Sequence, residues 1–372
     1  MSSRSRATRR LVFGITGHGL GHLTRACQLG QALHERAPDI ELHFWTSLPA
    51  ERIAADLDAP FVHRAVEYEP GTAQRNCFEL DVEGTVRDYA DLLATHDARV
   101  ATEAAALAEV DADAVVCDVP AVLVRAAAER GIPAIAVANF TWDWILEPIL
   151  TDTPAEPALA RLHEDYACAT HHVRLPFGPQ DSPVPSSGAG PLVSRRATLD
   201  SLDVRARLGL AEDGGRPVAL VCPGGWDPEG WRTIRPDTED FDLVLVGDLP
   251  VACGARDLSL PHALPAPIRF PDLVSMADVV LAKPGYGIAS ECVAHRTPLV
   301  TIDRPDFRET PVLRRELARL GPCAELGLAA FFEGRWREAL VRALESGTPW
   351  QPQVDRPDLE VAETVLGRLG WG

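Results

Sequence analysis

Residues 14–22 read Gly14-Ile-Thr-Gly-His-Gly-Leu-Gly-His22, and they directly follow the apolar run Leu11-Val-Phe13. This order predicts a buried strand, then a glycine-rich turn, then a helix that begins near His22. The glycines at 17, 19 and 21 lack a Cβ atom, so a ligand or a second domain can approach this backbone closely. His18 and His22 stand in the turn, and histidine is the side chain best suited to take a proton near neutral pH.

The glycine spacing differs from that of the dinucleotide-binding fingerprint. The pattern G-x-G-x-G-H lacks the third glycine at its proper offset, and no acidic residue clearly ends the second strand. Two interpretations of the turn stay open. It is either a ligand loop with a catalytic histidine, or a tight strand-to-helix turn in which the histidines are incidental.

Length, composition and charge limit the class of protein. A chain of 372 residues suits two domains of ordinary size, and 46% apolar with 24% charged residues is typical of a globular protein. The net charge of −18 disfavours a nucleic-acid partner and stable association with a membrane, because phosphate backbones and anionic lipids bind concentrated basic surfaces.

The cysteines and the N-terminus indicate the compartment. The eight cysteines are scattered, without the spacing of a zinc or redox motif, which is typical of reduced thiols. The first ten residues are basic but lack the apolar region of a signal peptide, and no apolar stretch is long enough to span a membrane. We therefore expect a cytoplasmic protein with a disordered N-terminal tail.

Short apolar strands alternate with helical segments along both halves of the chain. The predicted strands are 11–16, 40–46, 61–65, 114–117, 134–138, 217–222, 243–246, 268–270, 279–282 and 299–302. The predicted helices are 22–36, 84–110, 120–130, 287–296, 309–320, 335–346 and about 359–370. This alternation predicts an α/β protein with two Rossmann-like, doubly wound parallel-sheet domains, which face each other across a ligand-binding cleft.

A stretch rich in proline and glycine predicts the domain boundary. Residues 176–191 hold so many prolines and glycines that we expect no regular element there. The predicted organisation is an N-terminal domain over 1–178, a linker over 179–191 and a C-terminal domain over 192–372.

A second glycine-rich site follows the predicted strand 279–282. Its sequence, Lys283-Pro-Gly-Tyr-Gly-Ile-Ala-Ser-Glu291, has the same strand-turn-helix order as the first. A glycine turn, a lysine and the free N–H groups of a helix N-terminus suit a diphosphate. Glu291, about one turn into the helix, can accept hydrogen bonds from ribose hydroxyls, or it is only a first-turn acid favoured by the helix dipole.

The sequence around this second site resembles the donor-binding signature of GT-B glycosyltransferases, including glycosyltransferase family 28 and the UDP-glycosyltransferases. The chain is also similar to the glycosyltransferase-like N-terminal region of plant-type arabinokinases. The residues that carry this resemblance are Thr16 to His22, Asn139-Phe-Thr-Trp-Asp143, Gly224-Gly-Trp226, Gly230-Trp231, Lys283 to Gly287 and Phe307-Arg-Glu309. The kinase region of those proteins is not among the 372 residues, so the resemblance implies a free-standing glycosyltransferase of the GT-B fold, whose last helix (about 359–370) crosses back to the first domain.

The resemblance implies roles for residues of the N-terminal domain. His22 takes the position of the general base that deprotonates the acceptor, and Asp118 that of the aspartate that orients it; His18 is the rival base. A carboxylate fixes the imidazole tautomer and stabilises the imidazolium that forms. The implied acceptor-binding residues are Gly19, Gly21, Asn139, Trp142 and Asp143, although the tryptophans here can equally cap the core.

The resemblance also implies a donor site in the C-terminal domain. Its residues are Gly224, Gly225, Arg269, Phe270, Lys283, Gly285, Gly287, Ser290, Glu291, Arg308 and Glu309. Arg269 and Phe270 end the predicted strand 268–270, where this fold recognises the nucleobase. Arg308 and Glu309 take the place of the usual Asp-Gln pair that contacts the sugar, so the identity of the sugar stays open.

The predicted function is the transfer of a sugar from a nucleoside diphosphate sugar to a small-molecule acceptor, with inversion. We expect neither a cofactor nor a metal ion, since no Asp-x-Asp motif stands at a strand end to hold Mg²⁺. Two alternatives remain: a nucleotide-sugar-binding module without transfer activity, and a nucleotide-sugar epimerase or hydrolase on the same fold. Neither the nucleobase, the acceptor nor the oligomeric state is predicted.

Overall fold

The computed structural model describes residues 8–179, 181–210, 215–224, 233–247, 258–260 and 264–372. For residues 186, 187 and 259 it describes the backbone alone. Of the positions singled out above, Gly225, Trp226, Gly230, Trp231 and the N-terminal segment 1–7 lie outside the described residues.

Strands and helices alternate along the described chain. The strands are β1 (Arg9–Ile15), β2 (Ile40–Trp45), β3 (Phe61–Arg64), β4 (Ala114–Asp118), β5 (Ala134–Ala138), β6 (His171–Arg174), β7 (Ser186–Ala189), β8 (Val218–Cys222), β9 (Asp242–Val246), β10 (Leu258–Leu260), β11 (Val279–Ala282), β12 (Leu299–Ile302) and β13 (Cys323–Leu326). The helices are α1 (Leu20–Arg36), α2 (Ala50–Ala54), α3 (Val82–Glu109), α4 (Ala121–Glu129), α5 (Trp142–Leu150), α6 (Pro157–Tyr166), α7 (Ser201–Arg207), α8 (Phe270–Met276), α9 (Tyr286–His295), α10 (Glu309–Leu320), α11 (Leu328–Phe332), α12 (Arg337–Leu344) and α13 (Pro357–Leu369). None of the helices in the described ranges is both long and apolar enough to cross a membrane.

The chain divides into two units, and the first consists of the residues up to 73 together with 81–193 and 354–372. The seven strands among its described residues pair in parallel, in the order β3-β2-β1-β4-β5-β6-β7. β4 and β5 are buried over their whole length, as expected for parallel strands covered by helices on both faces. β1 lies between β2 and β4, and the strand order reverses there, so the carboxyl ends of β1 and β4 form the point where such sheets bind ligands.

The segment predicted as a linker without regular structure contributes a strand. Within 179–191, residues Ser186–Ala189 form β7, which pairs with β6 at the edge of the first sheet. The prediction of an irregular linker is therefore wrong at these positions. The prolines at 183 and 185 precede the strand, and an edge strand needs hydrogen bonds on one side only, so a short polar segment suffices. The division between the units falls after Val193.

The second unit consists of residues 74–80 and 194–353, and the six strands that the structure describes in it are parallel in the order β10-β9-β8-β11-β12-β13. The predicted strand 268–270 does not exist. Arg269 is the N-cap of α8, with Pro271 in the first turn and the Asp272 carboxylate accepting the Arg269 N–H at 2.7 Å. These helix-start signals outweigh the apolar character that suggested a strand.

The short segment 74–80 belongs to the second unit although it lies within the first in sequence. Cys77 and Phe78 are fully buried in the core of the second unit. The Phe78 ring packs edge-on against Phe331 and Phe332, with centroids 5.4 and 6.0 Å apart. The predicted domain over 1–178 is thus interrupted by a segment that completes the other core.

The last helix, α13, packs on α1 within the first unit. Its buried face consists of Val361, Ala362, Val365 and Leu366. The first unit therefore contains both the beginning and the end of the chain, and the second unit is inserted between them.

Candidate active site

The turn after β1 is held against the end of β4. The two strands pair with Ile15 opposite Asp118, and the Thr16 N–H donates to the Asp118 carbonyl oxygen at 3.0 Å. Gly19 has a φ of +91°, a left-handed conformation that favours glycine. Directly after it α1 begins, at Leu20 rather than near His22, so that Gly21 and His22 lie in the first turn of the helix.

His22 and Asp118 are in direct contact. Nδ1 of His22 lies 2.8 Å from Oδ1 of Asp118, and the two residues are 8% and 4% exposed. The imidazole meets the Phe140 ring edge-on, with centroids 5.4 Å apart. When Nδ1 carries a proton and donates a hydrogen bond to Asp118, Nε2 keeps the lone pair that accepts a proton. The sheet thus brings together two residues that the resemblance pairs across a long stretch of sequence.

Arg25, three residues after His22 on α1, completes this cluster and was not singled out from the sequence. Its Nε and Nη2 atoms donate to the two carboxylate oxygens of Asp118, and Nη2 lies 3.0 Å from Nδ1 of His22. Nη1 donates to Oδ1 of Asn139 at 2.6 Å. The available signal was the spacing, since helix residues three apart lie on the same face.

Asp118 is an ionised carboxylate inside the protein. Burial by itself raises the pKa of such a group, but the charge of Arg25 and then that of His22, with their hydrogen bonds, hold the pKa of Asp118 below its usual value. Because a guanidinium keeps its proton in proteins, Arg25 and Asp118 form a neutral pair while His22 is neutral. A proton that His22 takes up adds one positive charge beside the carboxylate.

The rival base, His18, has different surroundings. Its Nε2 lies 3.2 Å from Oγ1 of Thr72, and its ring meets the Trp142 ring edge-on at 5.3 Å between centroids. Gly71, with a φ of +71°, leaves room for the imidazole, since a Cβ there would come 2.5 Å from Nδ1 of His18. These contacts distinguish His18 from His22, whose Nδ1 contacts Asp118.

The side chains predicted to bind the acceptor make contacts within the first unit. Asn139 is buried, accepts from Arg25, and donates through Nδ2 to the carbonyl oxygen of Phe177 at 3.2 Å. Trp142 is buried as well, and Oδ2 of Asp143 lies 3.2 Å from Nδ1 of the exposed His163. Asn139 therefore holds the His22 cluster in place, and an acceptor-binding role for these side chains stays a prediction.

The second glycine-rich site lies where three neighbouring strands of the second unit end. β11 lies between β8 and β12, and Ala282 pairs with Cys222 on one side and with Thr301 on the other. Because the carboxyl ends of parallel strands meet at the same edge, the residues that follow these three positions are neighbours. Gly224 and Lys283 are two of them.

Lys283 lies against Gly224. The φ of Gly224 is +124°, and a Cβ there would come 2.7 Å from Cε and 3.0 Å from Nζ of Lys283. Glycine therefore leaves the room that the lysine side chain occupies. Burial, and then the charge of Arg304, lower the pKa of Lys283 to about 8. The ammonium group is thus largely charged at neutral pH, and a bound anion would favour its charged form.

Helix α9 adds a second source of positive potential. It begins directly after its N-cap residue Gly285, with no side-chain cap from the described residues and no acid in the first turn. The first N–H groups, such as that of Gly287, have no partner within the helix, whereas the Ala289 N–H donates to the Gly285 carbonyl oxygen at 3.1 Å. Together with Lys283, this helix end suits a diphosphate.

Glu291 has a partner inside the protein. It is 2% exposed, and Oε1 accepts from Nε of Arg195 at 2.6 Å. The Arg195 guanidinium also lies over the Phe270 ring, 5.8 Å from its centroid. Ser290 donates to the Gly287 carbonyl oxygen at 2.8 Å. Arg195, which the sequence analysis did not single out, thus connects Glu291 and Phe270, and the long separation of these residues in the chain leaves no local signal for it.

The remaining predicted donor residues lie at helix N-termini. Arg269 and Phe270 cap and begin α8, so their predicted place at a strand end is wrong. Arg308 is the N-cap residue of α10 and Glu309 its first residue, and both are half-buried. In the part of the chain that the structure describes, no three His, Cys, Asp or Glu side chains converge in a way that could hold a metal ion.

Sequence comparison finds two curated relatives. No family model matches the chain. The chain is 30% identical over 380 aligned residues to the L-arabinokinase of Arabidopsis thaliana. This alignment covers 98% of this chain and 35% of the plant protein. The chain is also 27% identical over 183 aligned residues to an uncharacterized glycosyltransferase of Methanopyrus kandleri. This second alignment covers 47% of this chain and 51% of the archaeal protein. The chain thus spans about a third of the arabinokinase, and the second match about half of the archaeal relative.

Solved structures with a similar fold are glycosyltransferases. The calicheamicin glycosyltransferase CalG4 superposes with a TM-score of 0.61 at 18% identity, over 98% of this chain and 99% of that one. Phytolacca americana UGT2, in complex with UDP-2-fluoro-glucose and pterostilbene, superposes with a TM-score of 0.60 at 14% identity, over 97% of this chain and all of that one. The predicted class is confirmed: the chain has the GT-B fold of glycosyltransferases, with a parallel sheet in each of its two α/β units.

Proposed function

We propose that the chain transfers a sugar from a nucleoside diphosphate sugar to a hydroxyl group of a small-molecule acceptor, with inversion at the anomeric carbon and His22 as the general base. The observation that carries the proposal is the contact of 2.8 Å between His22 Nδ1 and Asp118 Oδ1, at the carboxyl end of the first sheet of a GT-B chain. This contact leaves Nε2 of His22 to act on the acceptor.

The reaction is a single displacement. The acceptor oxygen forms a bond to the anomeric carbon while its proton passes to Nε2 of His22. The bond between the anomeric carbon and the diphosphate oxygen breaks, and the nucleoside diphosphate leaves with the electron pair. Asp118 accepts the Nδ1 hydrogen bond and stabilises the imidazolium that forms. Attack from the side opposite the leaving group inverts the anomeric configuration.

The second unit holds the donor in this proposal. Lys283 and the N-terminus of α9 supply positive potential where the leaving diphosphate develops charge. Gly285, where a Cβ would meet no atom within 4 Å, lets the diphosphate approach the backbone, and Gly224 makes room for Lys283. UGT2, a protein of the same fold, was solved with a UDP-sugar analogue, and this supports a nucleotide-sugar donor here.

The first test identifies the donor and then the base. A thermal-shift screen of nucleoside diphosphates and their sugars finds the donor, because a ligand that binds the folded state stabilises it. With that donor and a panel of hydroxylated acceptors, His22→Ala should lower the turnover rate by roughly 10²- to 10⁴-fold and leave donor affinity nearly unchanged. His34→Ala, a histidine on the same helix, is the control. Transfer by His22→Ala at the wild-type rate would contradict the assignment of the base.

Transfer should not need a divalent metal ion. Lys283 and the α9 N-terminus provide the counter-charge that Mg²⁺ supplies in many diphosphate sites. We expect activity after EDTA treatment to equal that of the untreated enzyme, measured by product formation in mass spectrometry. Activity that disappears with EDTA and returns with Mg²⁺ would contradict this expectation.

One observation favours a second candidate function, a nucleotide-sugar-binding module without transfer. Arg25 engages both oxygens of Asp118, so less of the aspartate charge is left to stabilise a His22 imidazolium. In that case the chain would bind the nucleotide sugar in the same thermal-shift screen. The donor would then remain intact after long incubation with every acceptor, in the wild type as in His22→Ala.

A further inference from the structure

Arg304, which follows β12 in the second unit, is a buried cation without hydrogen-bond partners on one edge. The residue is 3% exposed, and its Nε and Nη2 atoms have no partner among the described residues. The guanidinium carbon lies over the Phe307 ring, 3.2 Å from its centroid. The aromatic face holds the plane of the guanidinium but satisfies none of its N–H groups.

Such a group is costly for a folded protein. A buried charge normally has an opposite charge and hydrogen bonds around it, because desolvation without them is unfavourable. Burial lowers the pKa of Arg304 to about 10, so the side chain stays protonated at neutral pH. Arg304 is charged and buried, and its Nε and Nη2 atoms have no hydrogen-bond acceptor among the described residues. A ligand that provides this acceptor would explain why the protein keeps such a group.

The position of Arg304 relates it to the proposed donor site. β12 is the neighbour of β11, and Thr301 pairs with Ala282, so Arg304 and Lys283 leave the sheet on adjacent strands, which lie about 4.8 Å apart. The charge of Arg304 is also one cause of the lowered pKa of Lys283. Glu309 is the nearby acid whose charge acts on both cations.

The two unpartnered nitrogens of Arg304, Nε and Nη2, indicate which chemical group would bind there. The N–H bonds at Nε and Nη2 of an arginine point in the same direction, and their spacing matches the two oxygens of a carboxylate or phosphate. Lys283 and the α9 N-terminus already suit the diphosphate. Arg304 follows the neighbouring strand, so a nucleotide sugar whose diphosphate lies at Lys283 can extend its next group, the sugar, toward Arg304.

We propose that Arg304 binds a carboxylate on the sugar of the donor, so that the preferred donor is a nucleoside diphosphate linked to a uronic acid. This inference rests on the proposed function, because it takes the second unit as the donor site. It deepens that function by assigning the class of sugar and a residue that determines specificity. Phe307 positions the guanidinium, and Lys283 binds the diphosphate of neutral and acidic donors alike.

Isothermal titration at neutral pH tests the proposal with matched ligands. The probes are UDP, UDP-glucose and UDP-glucuronate, and in parallel GDP, GDP-mannose and GDP-mannuronate, so that the result does not depend on one nucleobase. We expect the wild-type protein to bind the uronate about 10- to 100-fold more tightly than the neutral hexose on the same base, as a charge-assisted, two-point hydrogen bond gives.

Variants assign the preference to Arg304. Arg304→Gln should reduce the ratio between uronate and neutral hexose to about twofold, and Arg304→Lys, which keeps the charge but loses the paired N–H groups, should retain part of it. Lys283→Gln should weaken the binding of all three ligands on one base by a similar factor. Arg315→Gln, on the exposed side of α10, is the matched control and should change none of the affinities. Circular dichroism verifies that each variant is folded.

The outcomes separate this inference from the function on which it rests. A wild-type protein that binds no nucleoside diphosphate or nucleotide sugar contradicts the proposed function. Binding of the neutral and the acidic donor with equal affinity overturns the assignment of Arg304 and leaves the proposed function standing. A loss of UDP or GDP affinity in Arg304→Gln as large as the loss for the uronate would make Arg304 a phosphate ligand, and it too overturns the inference. Because the wild-type preference is measured first, a variant that fails to fold does not prevent the decision.

Discussion

Arg25 and His22, two side chains of α1, both contact the buried Asp118 carboxylate. Arg25 contacts both carboxylate oxygens, while His22 contacts one of them. Burial raises the pKa of Asp118, but the charge of Arg25 and then that of His22 hold it below its usual value. Arg25 in return fixes the carboxylate in one orientation, and Asn139 holds Arg25. The cluster thus combines a rigid geometry with a moderated charge.

Removing Arg25 should cost more stability than removing any exposed arginine of α1. Arg25→Gln leaves the Asp118 charge buried without its main partner, which typically costs about 3–5 kcal/mol of unfolding free energy. Arg36 also lies on α1 and forms a half-exposed ion pair with Glu363 of α13, so Arg36→Gln should change the unfolding free energy by less than about 1 kcal/mol. Urea unfolding followed by circular dichroism gives both values. Equal stability of the two variants would mean that the Arg25–Asp118 pair contributes nothing to folding.

The residues of this cluster differ in how far the sequence revealed them. The resemblance to GT-B glycosyltransferases paired His22 with Asp118, and the parallel sheet, whose strand ends meet, brings the two together. Arg25 could have been found from its helical spacing to His22. In the second unit, the ion pair between Arg195 and Glu291 could not have been predicted from the sequence. It depends on how the chain before α7 packs against α9, and no local pattern encodes that packing.

At the level of single elements, Glu69 illustrates how a buried acid holds a helix. It is buried, and its Oε1 accepts the Val122 N–H in the first turn of α4 at 2.9 Å. Burial raises the pKa of Glu69 to about 7, although the backbone N–H groups of Ala121 and Val122 favour the charged form. The N-terminus of α4 is thus capped by a carboxyl group that lies four residues after the end of the predicted strand 61–65.

The raised pKa of Glu69 predicts a pH dependence of stability. The folded state binds the proton more tightly than the unfolded state, so the contribution of Glu69 is complete below its ordinary pKa near 4.5 and is lost as pH rises through about 7. The full loss is on the order of 3 kcal/mol. Glu69→Gln keeps an acceptor for Val122 and removes the titration. It should therefore be more stable than the wild type at pH 8 and about equally stable at pH 4.5.

Unfolding free energies at both pH values, from denaturant titrations, measure this difference. Glu67→Gln, an exposed acid two positions away, is the matched control and should follow the wild type at each pH. The assignment fails if the difference between Glu69→Gln and the wild type is the same at pH 4.5 and pH 8.

Element boundaries show which sequence signals were sufficient. Apolar strands between glycine turns, such as β1 and β11, were predicted within a few residues because a strand buried on both faces has a continuous apolar sequence. The edge strand β7 was missed, since an edge strand of small and polar residues has no such signature. The segment at 268–270 has three residues of strand character, but Pro271 and Asp272 carry the helix-start signal that prevails.

For the whole molecule, neither unit corresponds to one continuous piece of sequence. The chain enters the second unit at 74–80, returns, enters it again at 194–353, and ends in the first. The parallel sheets were predictable from the alternation of elements. The insertion of 74–80 was not, because Cys77 and Phe78 are two apolar residues in a polar surrounding, and their burial depends on the aromatic core around Phe331.

We expect the first unit to need α13 for cooperative folding, because this last helix packs on α1. Val361, Val365 and Leu366 are buried residues of α13, which packs on α1, and full burial of such side chains contributes roughly 1.5–3 kcal/mol each. Their sum is comparable with the whole stability of a domain, about 5–15 kcal/mol. A fragment of residues 8–193 should therefore lack a cooperative thermal transition. The same fragment joined through a Gly/Ser linker to residues 354–372 should regain one.

Both fragments carry Phe78→Ser, so that an aromatic side chain deprived of its core does not cause aggregation in either. Thermal unfolding by circular dichroism compares them, and Val365→Asp in the joined fragment is the control for the apolar contact, since a buried charge there should abolish the regained transition. If the fragment without α13 unfolds cooperatively at the same temperature as the joined one, the last helix is an attachment to the first unit and not part of its core. Cooperative unfolding only in the joined fragment would establish that the two ends of the chain, packed together as α1 and α13, complete the unit that carries His22.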